Sequence, residues 1–442
     1  MILAVGVAAL LLAGIVSATS LGVQKTLIGA TVAALVVVPI NLFGVGVGSS
    51  MSHTTIAAGR LSVSSHDVAI IAAVLLGGLG VIRWVRPEFG IVVIGSFVVA
   101  VLSSGLHSWV AEGIAQWAFL GLAWAFGAAV SSAVRRGQLS ERFLAGTLAL
   151  CVGLHTVASL AQLAGVGRVY QSQIAGGALA RMTGLAGHPG NLGKIVFLLM
   201  LIALPLTNSS DARTRRFAWL TVTMSMVTIG LTFSRANVAA AVVVFGGWLL
   251  LQRGVSTVKR FGILLAGAVG VVPVVNILLE RQQFDPDGGL RPELMRSAVA
   301  QLHRTFWWGV GPNDYIETVG QFDPYARGGL PVHSTFMLVL VELGAVLAVI
   351  AAIPLVLLVI KAVRTLLGSG LEPHAVVFLL ALPGLFVILQ TGHGMTSRVV
   401  APTFFLTLGH LWAALSDVDK RLPPVLTGRA ARGADDMAGS SR

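Results

Sequence analysis

Residues Glu280 to Val332 read ERQQFDPDGGLRPELMRSAVAQLHRTFWWGVGPNDYIETVGQFDPYARGGLPV, and His333 to Ile350 follow as HSTFMLVLVELGAVLAVI. The first stretch is polar and holds five arginines, Arg281, Arg291, Arg296, Arg304 and Arg327. The second is apolar and keeps that character past Ile350 for long enough to cross a bilayer as a helix. Their junction decides the fold: a polar loop inserted between spans of a membrane protein.

Working outward, apolar runs of spanning length recur along the rest of the chain. Composition agrees, with 55% apolar residues, 11% charged residues and mean hydropathy +0.87. Soluble domains carry about 25% charged residues. The reading is an all-α integral membrane protein, a polytopic bundle of twelve or thirteen transmembrane helices. Spans are predicted at 2–18, 27–48, 67–83, 90–106, 109–132, 143–164, 191–207, 217–233, 236–252, 261–279, 334–360, 374–391 and 398–415. They form one transmembrane domain, 1–415, with the loop at about 280–333 inserted, and a polar tail at 416–442 predicted to be disordered. Met1 to Ala18 lacks a basic leader and reads as a first span.

The net charge of +12 sits in short clusters between apolar runs, a positive-inside pattern that argues against nucleic acid as a partner. Arg83 and Arg86; Arg135, Arg136 and Arg142; Arg213, Arg215 and Arg216; Arg253, Lys259 and Arg260; and Lys361 and Arg364 fall on alternate connections. That periodicity assigns them to the cytoplasm. Gly165–Gly190, the Ser234-Arg235 turn, the long loop and the Thr396–Arg398 turn then face outward. Cys151 is the only cysteine, so no disulfide forms within the chain.

Within the loop, Pro292–Gln301 is predicted to form a short helix stopped by the Gly-rich turn at Gly309–Pro312. Phe306, Trp307 and Trp308 have the composition of an interfacial anchor. Arg235, in LTFSRANVAAA, reads either as a snorkelling arginine on a helix hairpin or as part of an anion site, because a guanidinium offers phosphate a planar two-pronged donor. Arg291 and Arg296 stand five apart, so their faces differ. His333 opens a helix whose dipole favours neutral imidazole, suiting either a general base or an interfacial cap. Glu342 reads as a buried partner for a basic residue on another helix. Asp285 and Asp287 have a metal-binding spacing that ordinary turn sequence also produces. His393 and the remaining histidines show no ligand spacing, and His188-Pro189-Gly190-Asn191 could line a pocket, with a turn the simpler account.

Four stretches together resemble the O-antigen ligase and polysaccharide polymerase superfamily: RMTGLAGHPGNLGKIVFLLM, LTFSRANVAAAVVVF, LRPELMRSAVAQLHRTFWWGVGPNDY and HSTFMLVLVELG. The pattern departs from that family at Ser334, Met337, Leu347 and Met295. The resemblance implies an inverting, metal-independent glycosyltransferase with no cofactor in the inner (plasma) membrane. Its donor would be a glycan on undecaprenyl diphosphate and its acceptor a glycan or lipid hydroxyl, both met among membrane lipid on the extracytoplasmic face. Carried over, His333 is the catalytic base and Arg235 and Arg291 bind the diphosphate, with Arg296, Arg181 and Glu342 in support. A polymerase of the same superfamily is the nearer alternative. A transporter or flippase is the more distant one, and it predicts charged or broken helices within the membrane.

Overall fold

The computed structural model describes most of residues 110–419, apart from 253–255, 263–274, 284–288 and scattered single or paired positions, together with 41–43 and 63–64. The expected spans at 2–18, 67–83 and 90–106 lie outside the described residues, as do most of 27–48 and 261–279 and the Asp285/Asp287 pair. Asn41–Phe43 (β1) pairs antiparallel with Val63–Ser64 (β2), so part of the second expected span is extended rather than helical.

The protein is an all-α membrane protein. Its described helices are α1 (Val110–Arg135), α2 (Glu141–Leu163), α3 (Pro189–Leu206), α4 (Ala212–Leu231), α5 (Arg235–Leu251), α6 (Arg291–Arg304), α7 (Tyr315–Val319), α8 (Pro324–Arg327), α9 (Thr335–Ser369), α10 (Pro373–Thr391) and α11 (Ala401–Asp419). Among the described residues four helices are long and apolar enough to cross a membrane: α2, α3, α9 and α10. For most of the spans that fall within the described residues, predicted and observed ends agree within a few residues, though α9 runs on to Ser369 past the expected 360. The last helix continues to Asp419, past the expected boundary at 415.

Local chemistry sets the helix starts. The Ser140 hydroxyl accepts from the Phe143 N–H at 3.1 Å, and the Asp211 carboxylate accepts from the Thr214 N–H at 2.9 Å. The Glu372 carboxylate accepts from the Ala375 N–H at 2.7 Å. Each satisfies a donor that the first helical turn leaves without a partner.

The bundle is built around α3, which is buried along almost its whole length and packs against α2, α4, α5, α10 and α11. α9 is the opposite case, with Val349, Ile353 and Val356 among its exposed apolar side chains. That is the surface a helix presents to lipid. α1 and α11 approach closely through small residues. A Cβ on Gly127 would lie 2.2 Å from the Leu406 carbonyl oxygen, and one on Gly409 2.3 Å from that of Trp124. In lipid, where apolar surface gains little by association, such close contact is what holds helices together. Polar links add to it, with the Thr156 and Thr228 hydroxyls 2.8 Å apart between α2 and α4.

Two features depart from the sequence reading. The connection after α2 contains an antiparallel hairpin, Tyr170–Ile174 (β3) with Gly177–Arg181 (β4), where no strand is predicted. And α9 is not continuous: Gly344 has φ 69° and ψ 172°, a break within the helix. The backbone groups it releases are taken by the loop. The Val310 and Gly311 amides donate to the Val341 and Glu342 carbonyls, both at 2.9 Å, and the Ala345 amide donates to the Phe306 carbonyl at 2.7 Å. Glycine is required on both sides, since a Cβ on Gly309 would sit 2.3 Å from the Glu342 oxygen and one on Gly344 2.5 Å from the Trp307 oxygen.

The loop is a folded unit. Ala298, Val310, Tyr315, Val319, Ala326 and Val332 form a small core with Leu338 and Val341 of α9.

Candidate functional site

The site lies at one end of the bundle, where α3, α5 and α9 begin, α10 ends, and α6 crosses over. His188 caps α3, its Nδ1 accepting from the Gly190 N–H at 3.1 Å. Three to six residues further on, Asn191 and Lys194 share this first part of the helix. Lys194 is only 7% exposed and makes no ion pair among the described residues. It is one of the few charged groups inside a membrane-crossing helix.

Lys194 is held by the connection after α10. Cβ atoms on Gly392 and Gly394 would lie 2.9 and 2.8 Å from the lysine Nζ, so glycine at these positions lets the turn sit close against the ammonium. His393 stands between them. The Thr335 hydroxyl donates to the Gly392 carbonyl at 2.6 Å, and the Ser334 hydroxyl lies 3.3 Å from the Gln390 side-chain oxygen. These bonds bring the start of α9 against the end of α10. They set His333 edge to face with His393, ring centroids 4.9 Å apart at 88°.

Arg291, the first residue of α6, completes the group. Its charge and that of Lys194 act on both imidazoles. Burial, then Arg291 and Lys194, make His333 titrate at about 4, with the Pro331 carbonyl offsetting a little of this. His393 is lowered well below the ordinary histidine value by burial and by His333, Lys194, His188 and Arg291. At neutral pH both rings are uncharged beside the Arg291 guanidinium and the Lys194 side chain. The His333 Nδ1 is buried with no hydrogen-bond partner among the described residues.

Arg181 and Arg235 occupy the adjoining rim. Arg181 is buried, its Nε donating to the Thr232 carbonyl at 2.8 Å, with its guanidinium 5.7 Å from the Tyr170 ring centroid. Tyr170 in turn meets His188 edge-on at 5.1 Å. Arg181 thereby braces the α4–α5 turn, where Phe233 has a positive φ of 46°, a strained conformation for a bulky residue. Arg235 follows at the start of α5. Its Nη1 is buried and unpartnered among the described residues. Asn237 ties this helix to the site, donating to the Gly190 carbonyl at 3.2 Å.

Of the residues singled out in the sequence, His333 and Arg291 are thus brought together, and Arg235 and Arg181 stand on the neighbouring rim. Arg296 is not part of the site: its exposed side chain pairs with Glu293 at 3.1 Å one turn back on α6. Glu342 is half-buried at the α9 break, its carbonyl accepting from the Gly311 amide. Three contributors were missed. Lys194 is a lone basic residue inside an apolar run, and His393 lies in a Gly-His-Gly triplet. His188 is a helix cap, which the sequence offered only as part of a turn that could line a pocket. Each carried a signal of composition, but only packing joins them.

The arrangement is cationic, half-dry and pre-formed. It supplies guanidinium and ammonium donors for an anion, plus two neutral imidazoles able to take a proton. Among the described residues no group of His, Cys, Asp and Glu is disposed to hold a metal ion.

Residues 155–285 match the family described as ethanolamine utilisation protein, EutH. No curated protein matches the chain. The matched segment includes two of the four stretches on which the O-antigen ligase resemblance rested, RMTGLAGHPGNLGKIVFLLM and LTFSRANVAAAVVVF. That resemblance is therefore corrected, and with it the glycosyltransferase, polymerase and polysaccharide-assembly readings. The more distant alternative, a transporter, predicts charged or broken helices within the membrane, whereas the sequence reading puts the charges at the outer edge and in one loop. Lys194 lies inside α3, and α9 is broken at Gly344. Over residues 155–285, this chain is similar to a family of membrane proteins named for ethanolamine utilisation.

Proposed function

We propose that this protein is a polytopic membrane transporter whose cationic site receives an anionic, phosphate- or sulfate-like group from the extracytoplasmic side of the plasma membrane. The observation that carries this reading is Lys194, buried within a membrane-crossing helix beside Arg291, His333 and His393, close to the start of a second span that is itself interrupted. Ionisable residues inside spans and discontinuous helices mark substrate pathways in transporters. The likeness to the ethanolamine utilisation family supports a membrane role. Free ethanolamine carries a positive charge at neutral pH, however, and Lys194 and Arg291 would repel it. An anion is the better chemical match.

The outward assignment rests on the basic clusters. Arg135, Arg136 and Arg142, then Arg213, Arg215 and Arg216, and then Lys361 and Arg364 all lie toward the end of the bundle opposite His333. Positive residues concentrate on the cytoplasmic side.

Reconstitution into sealed vesicles tests the proposal. Uptake of radiolabelled phosphate and sulfate is measured in one arm, and translocation of a fluorescent anionic phospholipid in the other, which separates a free anion from a lipid headgroup. Transport in either arm, abolished by Lys194→Met, supports the reading. Absence of translocation in both arms overturns it.

A further inference from the structure

We propose that anion binding at this site is coupled to the uptake of a proton by the His333–His393 pair. The inference rests on the anion-receiving reading above and adds what the protein exchanges for the bound charge.

The geometry leads to it directly. The two rings touch edge to face at 4.9 Å, beside the Gly392–Gly394 turn that packs on the Lys194 ammonium. The charged and titratable groups acting on the pair come from different elements: Lys194 from α3, His188 from its cap, and Arg291 from α6. Among the described residues the groups acting on either ring are all cationic or cationic when protonated. An empty site therefore opposes any further positive charge, and both rings stay neutral.

An anion seated among Arg291, Lys194 and the two imidazoles reverses this field. Its negative charge screens both cations from the rings, and its oxygens offer acceptors for a new N–H. The buried, unpartnered Nδ1 of His333 uses its lone pair to form an N–H bond with a proton from water, leaving hydroxide to the buffer, and the imidazolium donates to the anion. By reciprocity, whatever the anion does for the proton the proton does for the anion, so affinity must rise on acidification. The gain ends where the empty site itself becomes protonated, near the value of about 4 at which His333 titrates.

Titration calorimetry of the full-length protein in lipid nanodiscs tests this with sulfate, which carries no titrating proton of its own near neutrality. At pH 6, binding heats are compared in Mes and in Bis-Tris, whose ionisation enthalpies differ. The expected result is uptake of roughly half to one proton per sulfate, with affinity rising up to about tenfold per unit of acidification between pH 8 and 5. His333→Asn and His393→Gln should each reduce the proton count. Sulfate binding with no proton exchange overturns the coupling and leaves the anion-site reading standing. Proton uptake undiminished in both variants overturns the assignment to this pair. Failure of sulfate to bind at any pH overturns the coupling, and the phospholipid arm of the transport assay then decides the anion-site reading.

Discussion

The His333 and His393 imidazoles meet edge to face, 4.9 Å between centroids, although sixty residues of chain and two apolar helix segments separate them. Ser334 and Thr335 hold them there through Gln390 and Gly392. Two histidines in this position, beside Arg291 and Lys194, make the end of the bundle sensitive to both anions and protons.

Arg291 contributes to anion binding as a donor in its own right. Hydrogen bonds to charged groups contribute about 1.5–3 kcal/mol, so Arg291→Ala should weaken sulfate binding roughly ten- to a hundredfold by calorimetry. Arg291→Lys keeps the charge and loses the planar fork, and should recover part of the affinity. Equal loss in both variants would show that charge alone does not account for the effect.

Lys194→Met keeps the length and packing of a buried side chain while removing its charge. Thermal stability in detergent should hold or rise, because a desolvated ammonium with no ion pair among the described residues is exchanged for an apolar group. Sulfate affinity should fall. A large drop in melting temperature would instead identify Lys194 as a structural residue.

The α9 break depends on Gly344 and its partner Gly309. Alanine at Gly344 combines a φ of 69° with a Cβ 2.5 Å from three loop backbone atoms, and strain of this kind costs on the order of 1–3 kcal/mol. Gly344→Ala and Gly309→Ala should both lower the melting temperature and free the loop for proteolysis. Gly246→Ala, where a Cβ meets nothing within 4 Å, should do neither. Wild-type stability in Gly344→Ala would mean that the loop does not brace this helix.

Acid should destabilise the folded protein. His333 titrates at about 4 when folded, against an ordinary value of 6.5, so the unfolded chain binds more protons between those limits. Stability from this group is complete above about 6.5 and declines as pH falls toward 4, with His393 acting in the same direction. Thermal unfolding followed from pH 8 to pH 4 should show this decline, and His333→Asn should flatten it. An unchanged slope in that variant would assign the acid sensitivity elsewhere.

Much of the fold was legible in the sequence. Apolar runs at 143–164, 191–207, 236–252 and 374–391 became α2, α3, α5 and α10 nearly end for end, because twenty or so apolar residues between polar caps have no other stable state in lipid. The short helix after Arg291 was announced by Pro292, and the His333 boundary by the change from polar to apolar residues.

The site was legible only in part. Arg291, His333 and Arg235 stood out because charge at the edge of an apolar run needs a reason. Lys194 and His393 did not, since each is a single polar residue within a stretch whose average character hides it. The Gly344 break was equally hidden, because the hydrogen bonds that make it tolerable come from Phe306, Val310 and Gly311, more than thirty residues away. Hydropathy and basic clusters by themselves determined that the chain crosses a membrane and which ends share a side. Which charges meet, which helix breaks and which rings stay neutral were decided by tertiary structure alone. These depend on distances of a few ångströms across different helices, and on the loss of water that only packing produces.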